Sequence, residues 1–158
     1  MFDNKLFENA CKTGNLEMVS EIISETDSDV DVDEDYNHGF DLACEFGHTE
    51  IVQLLLSHGV NSEVIGIQMA CRKGHLEIVK MMLSYDGDYE LHHCLECACA
   101  DGHIEIINTI LEHIKNSEYE NKEDYLEFAI ECGLNVAEDH GHDQVIKHLK
   151  SFSVAPSN

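Results

Sequence analysis

Residues Ala70 to Leu83 read Ala-Cys-Arg-Lys-Gly-His-Leu-Glu-Ile-Val-Lys-Met-Met-Leu, and the chain says nearly the same thing elsewhere. Ala43 to Leu56 and Ala98 to Leu111 are close copies, Ala10 to Ile23 a weaker one, and Ala137 to Lys150 a degenerate fifth. The repeat alanines stand 33, 27 and 28 residues apart from Ala10 to Ala98. Self-similarity at such a period constrains the fold more than any other feature. One unit is too short to bury its own apolar face, so the units must stack and share an elongated core.

Each unit reads as two short antiparallel helices. Phe40, Ala43, Cys44 and Gly47 fall at i, i+3, i+4 and i+7, one face of a first helix. Gly47 ends that helix, since glycine accepts the left-handed backbone found just past a helix end. A second helix starts near Thr49 and carries Ile51, Val52, Leu54, Leu55 and Leu56, a run apolar enough to be buried on more than one side. The same pattern places units at about 3–26, 38–59, 62–85, 90–114 and 122–152, in one domain spanning 1–152 with a flexible tail at 153–158. The last unit offers two registers, Ala129-Gly133 and Ala137-Gly141. A lengthened first helix over about Lys122 to Asp139 is favoured, and a loop at Cys132 to Asn135 is the alternative. The fold class is all-α, a solenoid of about five helix-turn-helix units.

Charge narrows the choice of partner. Acidic residues number 32 against 9 basic, a formal net charge of −23. A surface of this sign repels phosphate backbones and anionic membranes, which argues against both as ligands. It attracts basic proteins, and it also keeps a chain soluble without any partner. No apolar run is long enough to span a bilayer, and Met1 to Lys5 lacks the apolar core of a secretory signal. Seven cysteines, four of them in one repeat slot (Cys11, Cys44, Cys71, Cys99), read as small buried apolar residues in a reducing, intracellular setting.

The Ala-Cys-x-x-Gly-His-x-Glu-Ile-Val pattern at 43–52 and 70–79, with copies at 10–19 and 98–107, resembles the ankyrin repeat, and the resemblance covers nearly the whole chain. Short degenerate repeats in a small acidic protein are also similar in style to ankyrin proteins of large DNA viruses of amoebae. The family's Thr-Pro-Leu-His helix start is absent. Only its apolar slot survives, as Phe40, Ile67 and Leu95, so the inter-unit hydrogen bonds of that motif are expected to be lost and the stack to be less regular.

The resemblance implies a monomeric protein-binding module without catalysis or cofactor, its partner lying on the concave face. By position, the residues before each repeat glycine point there: Lys12 and Thr13, Glu45 and Phe46, Arg72 and Lys73, Ala100 and Asp101. The turns before the first helices add Glu34, Asp35 and Asn37, then Asn61, Ser62 and Val64, then Tyr89, Glu90 and His92. Phe46, with Tyr89 on the same side, is a candidate anchor; its alternative is to fold back over the adjacent turn. Arg72 and Lys73 either meet acidic residues of a partner or are neutralised by Glu45 and Asp101 of the flanking units.

Other constellations read more plainly. Glu25 to Asp35 alternates aspartates, but counting from Asp27 the sixth and twelfth positions are Val32 and His38, so the calcium-loop pattern fails. What remains is a solvated acidic finger, a dock for a basic partner, or weak nonspecific binding of divalent cations. His92, Cys94, Cys97 and Cys99 lack the convergence that zinc needs. His48, His75, His103 and His142 share one register, which points to packing and hydrogen bonding at the second-helix start. No nucleophile-base set or phosphate loop is present. A partner with a basic patch is the leading expectation. The alternative is an acidic mimic or sequestering protein acting mainly through its field.

Overall fold

The computed structural model describes residues 3–25, 32–60, 63–85, 89–118 and 120–153. The described residues form ten helices and no strand. They pair as α1 (Asn4–Thr13) with α2 (Leu16–Glu25), α3 (Val32–Phe46) with α4 (Thr49–Ser57), α5 (Glu63–Lys73) with α6 (Leu76–Leu83), α7 (Leu91–Asp101) with α8 (Ile104–Asn116), and α9 (Lys122–His140) with α10 (Asp143–Ser153). First helices pack closely on first helices down the stack, and second helices more loosely on second helices.

Every first helix ends the same way. The repeat glycine, at 14, 47, 74, 102 and 141, has φ between 71 and 82°, the left-handed region that other residues enter only with strain. The next residue's N–H then reaches back to the carbonyl of the repeat alanine at 2.9 Å in all five copies, from Asn15 to Ala10 through His142 to Ala137. This six-to-one bond satisfies a carbonyl that a helix end otherwise leaves bare. The second helices close with a serine whose hydroxyl donates to the carbonyl three residues back, as Ser57 does to Leu54 and Ser84 to Met81, each at 2.6 Å.

A single elongated core runs the length of the stack, from Phe7 through Phe40, Ile67 and Leu95 to Leu149. Its interfaces follow a rule of slots. The residue eight before the repeat glycine is Gly39, Gly66, Cys94 or Gly133 in the second to fifth copies, and it faces the preceding unit's cysteine. A Cβ at Gly66 would come within 2.5 Å of the Phe40 ring and 3.1 Å of Cys44 Sγ, so the small residue is what lets the helices approach. Gly133 belongs to this series: a Cβ there would meet Cys99 Sγ at 3.1 Å. It is a packing glycine and not merely one the helix tolerates, and α9 runs unbroken through it. In the end units the slots change character. Leu6 holds this slot in the first unit and is 44% exposed, and Glu138 stands where the others have cysteine and pairs with Lys150 at 3.4 Å.

One expectation about placement needs correcting. Glu34, Asp35 and Asn37 do not lie in a turn. They are on α3, which begins at Val32, well ahead of His38. Tyr36 explains the longer helix: it is buried, with its ring 4.8 Å from that of Phe7, which gives this turn something to pack on. The acidic run from Glu25 to Asp35 falls mostly at residues 26–31, outside the described residues, as do Asn61, Ser62 and the tail at 154–158.

Candidate functional site

The turn after each first helix has a shut side and an open side. On the shut side sit the repeat histidines. His48 Nε2 donates to the carbonyl of Lys12 at 3.0 Å, His75 to Glu45 at 2.9 Å, His103 to Arg72 at 3.0 Å and His142 to Ala100 at 2.8 Å. A carbonyl only accepts, so Nε2 carries the proton in each case. Each bond crosses to the preceding unit and lands two residues before its glycine. Each ring also lies over that glycine: an added Cβ at Gly47 would sit 2.5 Å from the His75 ring, and one at Gly74 would sit 2.7 Å from that of His103. The glycine is required twice, for its backbone angle and for its missing side chain.

The bonds of the absent Thr-Pro-Leu-His motif are replaced by this row, in which the histidines expected to pack and hydrogen-bond do so across units. The histidine one residue after the glycine ties the units instead, four times over. It does so in place of capping its own helix. His48, His75 and His103 stand at helix N-caps and make no side-chain capping bond. Asn15, in the same slot of the first unit, does cap: its Oδ1 accepts from Met18 N–H at 3.1 Å.

On the open side lie the two residues before each glycine, and they form a second ladder. Lys12 Nζ stands 5.3 Å from the centroid of the Phe46 ring, a cation–π contact. Lys73 Nζ lies 3.6 Å from Glu45, and Arg72 Nε lies 3.9 Å from Asp101. Each pair joins one unit to the next. Phe46 remains 44% exposed, so Lys12 leans on it without covering it.

Of the residues expected on the binding face, Glu45, Phe46, Arg72, Lys73 and Asp101 therefore come together in one row. Tyr89 does not join them. It is 8% exposed, and its hydroxyl donates to the Met82 carbonyl at 2.9 Å, because the ring tucks under the end of α6. It is a structural tyrosine and not a free aromatic beside Phe46. His92 is half-buried against α9. Its N–H donates to the Tyr125 hydroxyl at 3.1 Å, that hydroxyl lies 3.2 Å from His92 Nδ1, and the Phe128 ring stands 5.3 Å away. Tyr125 and Phe128 were not among the candidates. Their signal was present as the helical spacing of the lengthened α9, but which unit they would touch was not. Asn37 is half-buried on its helix.

The cysteine slots carry no reactive thiol. Burial, then Glu8, pushes Cys11 up to about 12, and burial, then Glu96, does the same to Cys99. Burial raises Cys44 well above its ordinary value, with Asp41 adding to it. Cys71 is also raised, first by its hydrogen bond with Cys94 and then by burial. Thiols held protonated in this way are poor nucleophiles and poor metal ligands. Among the described residues no group of three or more His, Cys, Asp and Glu side chains converges as a metal site would need. Among them, too, no helix is long and apolar enough to cross a membrane.

No curated protein matches the chain. A family model for ankyrin repeats matches residues 42–123 as three copies, just over half of the sequence. That family is one of protein-interaction modules and is generally non-catalytic. The match falls on the units where the cysteine slot, the left-handed glycine and the bridging histidine recur, and the chain belongs to the ankyrin-repeat family.

Proposed function

We propose that this chain binds a protein partner carrying a basic patch, through the inner face made by the open ends of the first helices. The observation that carries the reading is how the cations on that face are used. Lys12 is committed to Phe46, Lys73 to Glu45 and Arg72 to Asp101, in a chain whose acidic residues outnumber its basic ones by 32 to 9. Lys73 and Arg72 each face a carboxylate, and the excess of acidic over basic residues leaves the field reaching solvent negative, which draws in a basic surface. Phe46 supplies the half-exposed aromatic around which contact can tighten. Partner choice on this reading belongs to Glu45, Phe46, Arg72, Lys73 and Asp101, with Glu34, Asp35 and Asn37 on α3 and His92 on α7 as contributors.

Affinity capture from cell extract tests it, with a Phe46→Ala/Arg72→Ala/Lys73→Ala variant as control. A shaped site retains its partner as salt rises and loses it in the variant. The formal charge of −23 also suits a second reading, an acidic mimic acting through its field. In that case binding disappears with added salt, because exposed charges are screened within about 8–10 Å at physiological strength, and the variant binds like the parent.

A further inference from the structure

A pocket of about 550 Å³ opens where α7 and α9 begin, lined by Tyr89, Glu90, Leu91, His92, Glu120, Asn121 and Tyr125. We propose that it receives an arginine side chain of the protein partner, so the inference rests on the protein-binding reading above and names the partner's contact.

The chemistry of the lining points to a planar cation on an apolar stem. Glu90 and Glu120 are both exposed carboxylates at the rim, and no lysine or arginine is among the lining residues. The nearest lysine in sequence, Lys122, donates to the Ser117 carbonyl at 3.2 Å. Leu91 adds apolar surface to the lining, and Tyr125 and His92, whose rings meet edge to face at 88° and 6.1 Å, add aromatic surface of the kind a guanidinium packs against. Phe128, 47% exposed and beside His92, continues the apolar surface outside the pocket for a neighbouring partner residue.

Two helix N-termini also meet here, and a helix start favours anions. The local bonds remove that reading for α7. Leu91 N–H goes to the Tyr89 carbonyl, His92 N–H to the Tyr125 hydroxyl, and His93 and Cys94 N–H both to the Glu90 carbonyl. No amide of that turn is left for an anion. At α9 the half-charge of the dipole faces full charges on Glu123 and Asp124 in its first turn, with Glu120 just before it. The balance is negative, which suits a cation.

The test is a ¹H–¹⁵N titration of the full chain with Nα-acetyl-arginine methylamide, beside its citrulline counterpart, which has the same shape and no charge. The arginine compound is expected to move the amides of His92, Asn121 and Tyr125, with citrulline weaker by about tenfold or more. A Glu90→Gln/Glu120→Gln variant should weaken arginine by a similar factor, while Phe46→Ala leaves it unchanged. Equal shifts from citrulline, shifts elsewhere, or none at all would overturn the proposal. Failure of the wider reading looks different. If captured protein binds the Glu90→Gln/Glu120→Gln variant as well as the parent, the arginine pocket fails and protein binding stands. If arginine titrates the pocket and no protein is captured through the inner face, the reverse holds.

Discussion

On the shut side of each turn, a histidine ring lies over the glycine of the unit before it and bonds the same carbonyl at 2.8–3.0 Å, at four successive interfaces. On the open side, a few ångströms away, the paired residues are different at every step: a lysine on an aromatic ring, a lysine on a glutamate, an arginine on an aspartate. The contrast is one of constraint. A half-buried ring donor over a backbone that must approach closely has one solution, so it recurs. Solvent-exposed pairs are each worth about 0–1 kcal/mol, so the fold does not dictate them and they are open to selection for binding. The shut side also loosens at its last step, where a Cβ on Gly102 would stand 3.3 Å from the His142 ring, against 2.5–2.7 Å at the earlier interfaces.

Five substitutions put that contrast at risk. The largest effect is expected from Gly66→Ala. In a solvent-facing helix this change stabilises by about 0.5–1 kcal/mol. Here the new methyl meets the fully buried Phe40 ring, and overpacking of that kind is destabilising by about 1–3 kcal/mol. Urea unfolding reads the sign directly, and a stabilised Gly66→Ala protein would mean the units are not held this close. Gly133→Ala, with its nearest atoms at 3.1, 3.4 and 3.5 Å, should be milder.

Next comes His75→Ala, which removes one crossing bond and leaves the Glu45 carbonyl without it, at about 1–2 kcal/mol. Hydrogen exchange sharpens the result: protection should fall in α3 to α6, on both sides of the broken interface, and hold in α7 to α10. Uniform loss along the chain would show that the units do not couple mainly to their neighbours.

The smallest effect belongs to the open side. Arg72→Ala and Lys73→Ala should each change the unfolding free energy by no more than about 0.5–1 kcal/mol, since both pairs are exposed. A loss comparable to that of His75→Ala would erase the distinction between the two sides and make the open ladder structural.

Much of this was legible in the chain. The apolar spacing around Phe40, Ala43 and Cys44 and the stop at Gly47 depend only on neighbours within a helix turn, and so did the recurrence of histidine in one register. The long α9 was readable from Tyr125 onward for the same reason. The placement of Tyr89 was not. Its exposure depends on whether the end of α6, seven residues earlier, offers a carbonyl to its hydroxyl, and nothing local says that Met82 does. Asp35 and Asn37 read as turn residues because the pull that makes them helical is Tyr36 settling on Phe7, a contact between units.

The sequence by itself determined the unit: its two helices, the glycine between them and the face that must be buried, because periodicity and backbone preference act over a few residues. Only the tertiary structure decided what each recurring letter is for. Gly133 is ordinary helix until Cys99 is seen across from it, and His75 could cap its own helix until the Glu45 carbonyl arrives from the unit before. Hydrogen bonds and close packing are settled by which atoms meet. In a stack those atoms lie one whole repeat away along the chain.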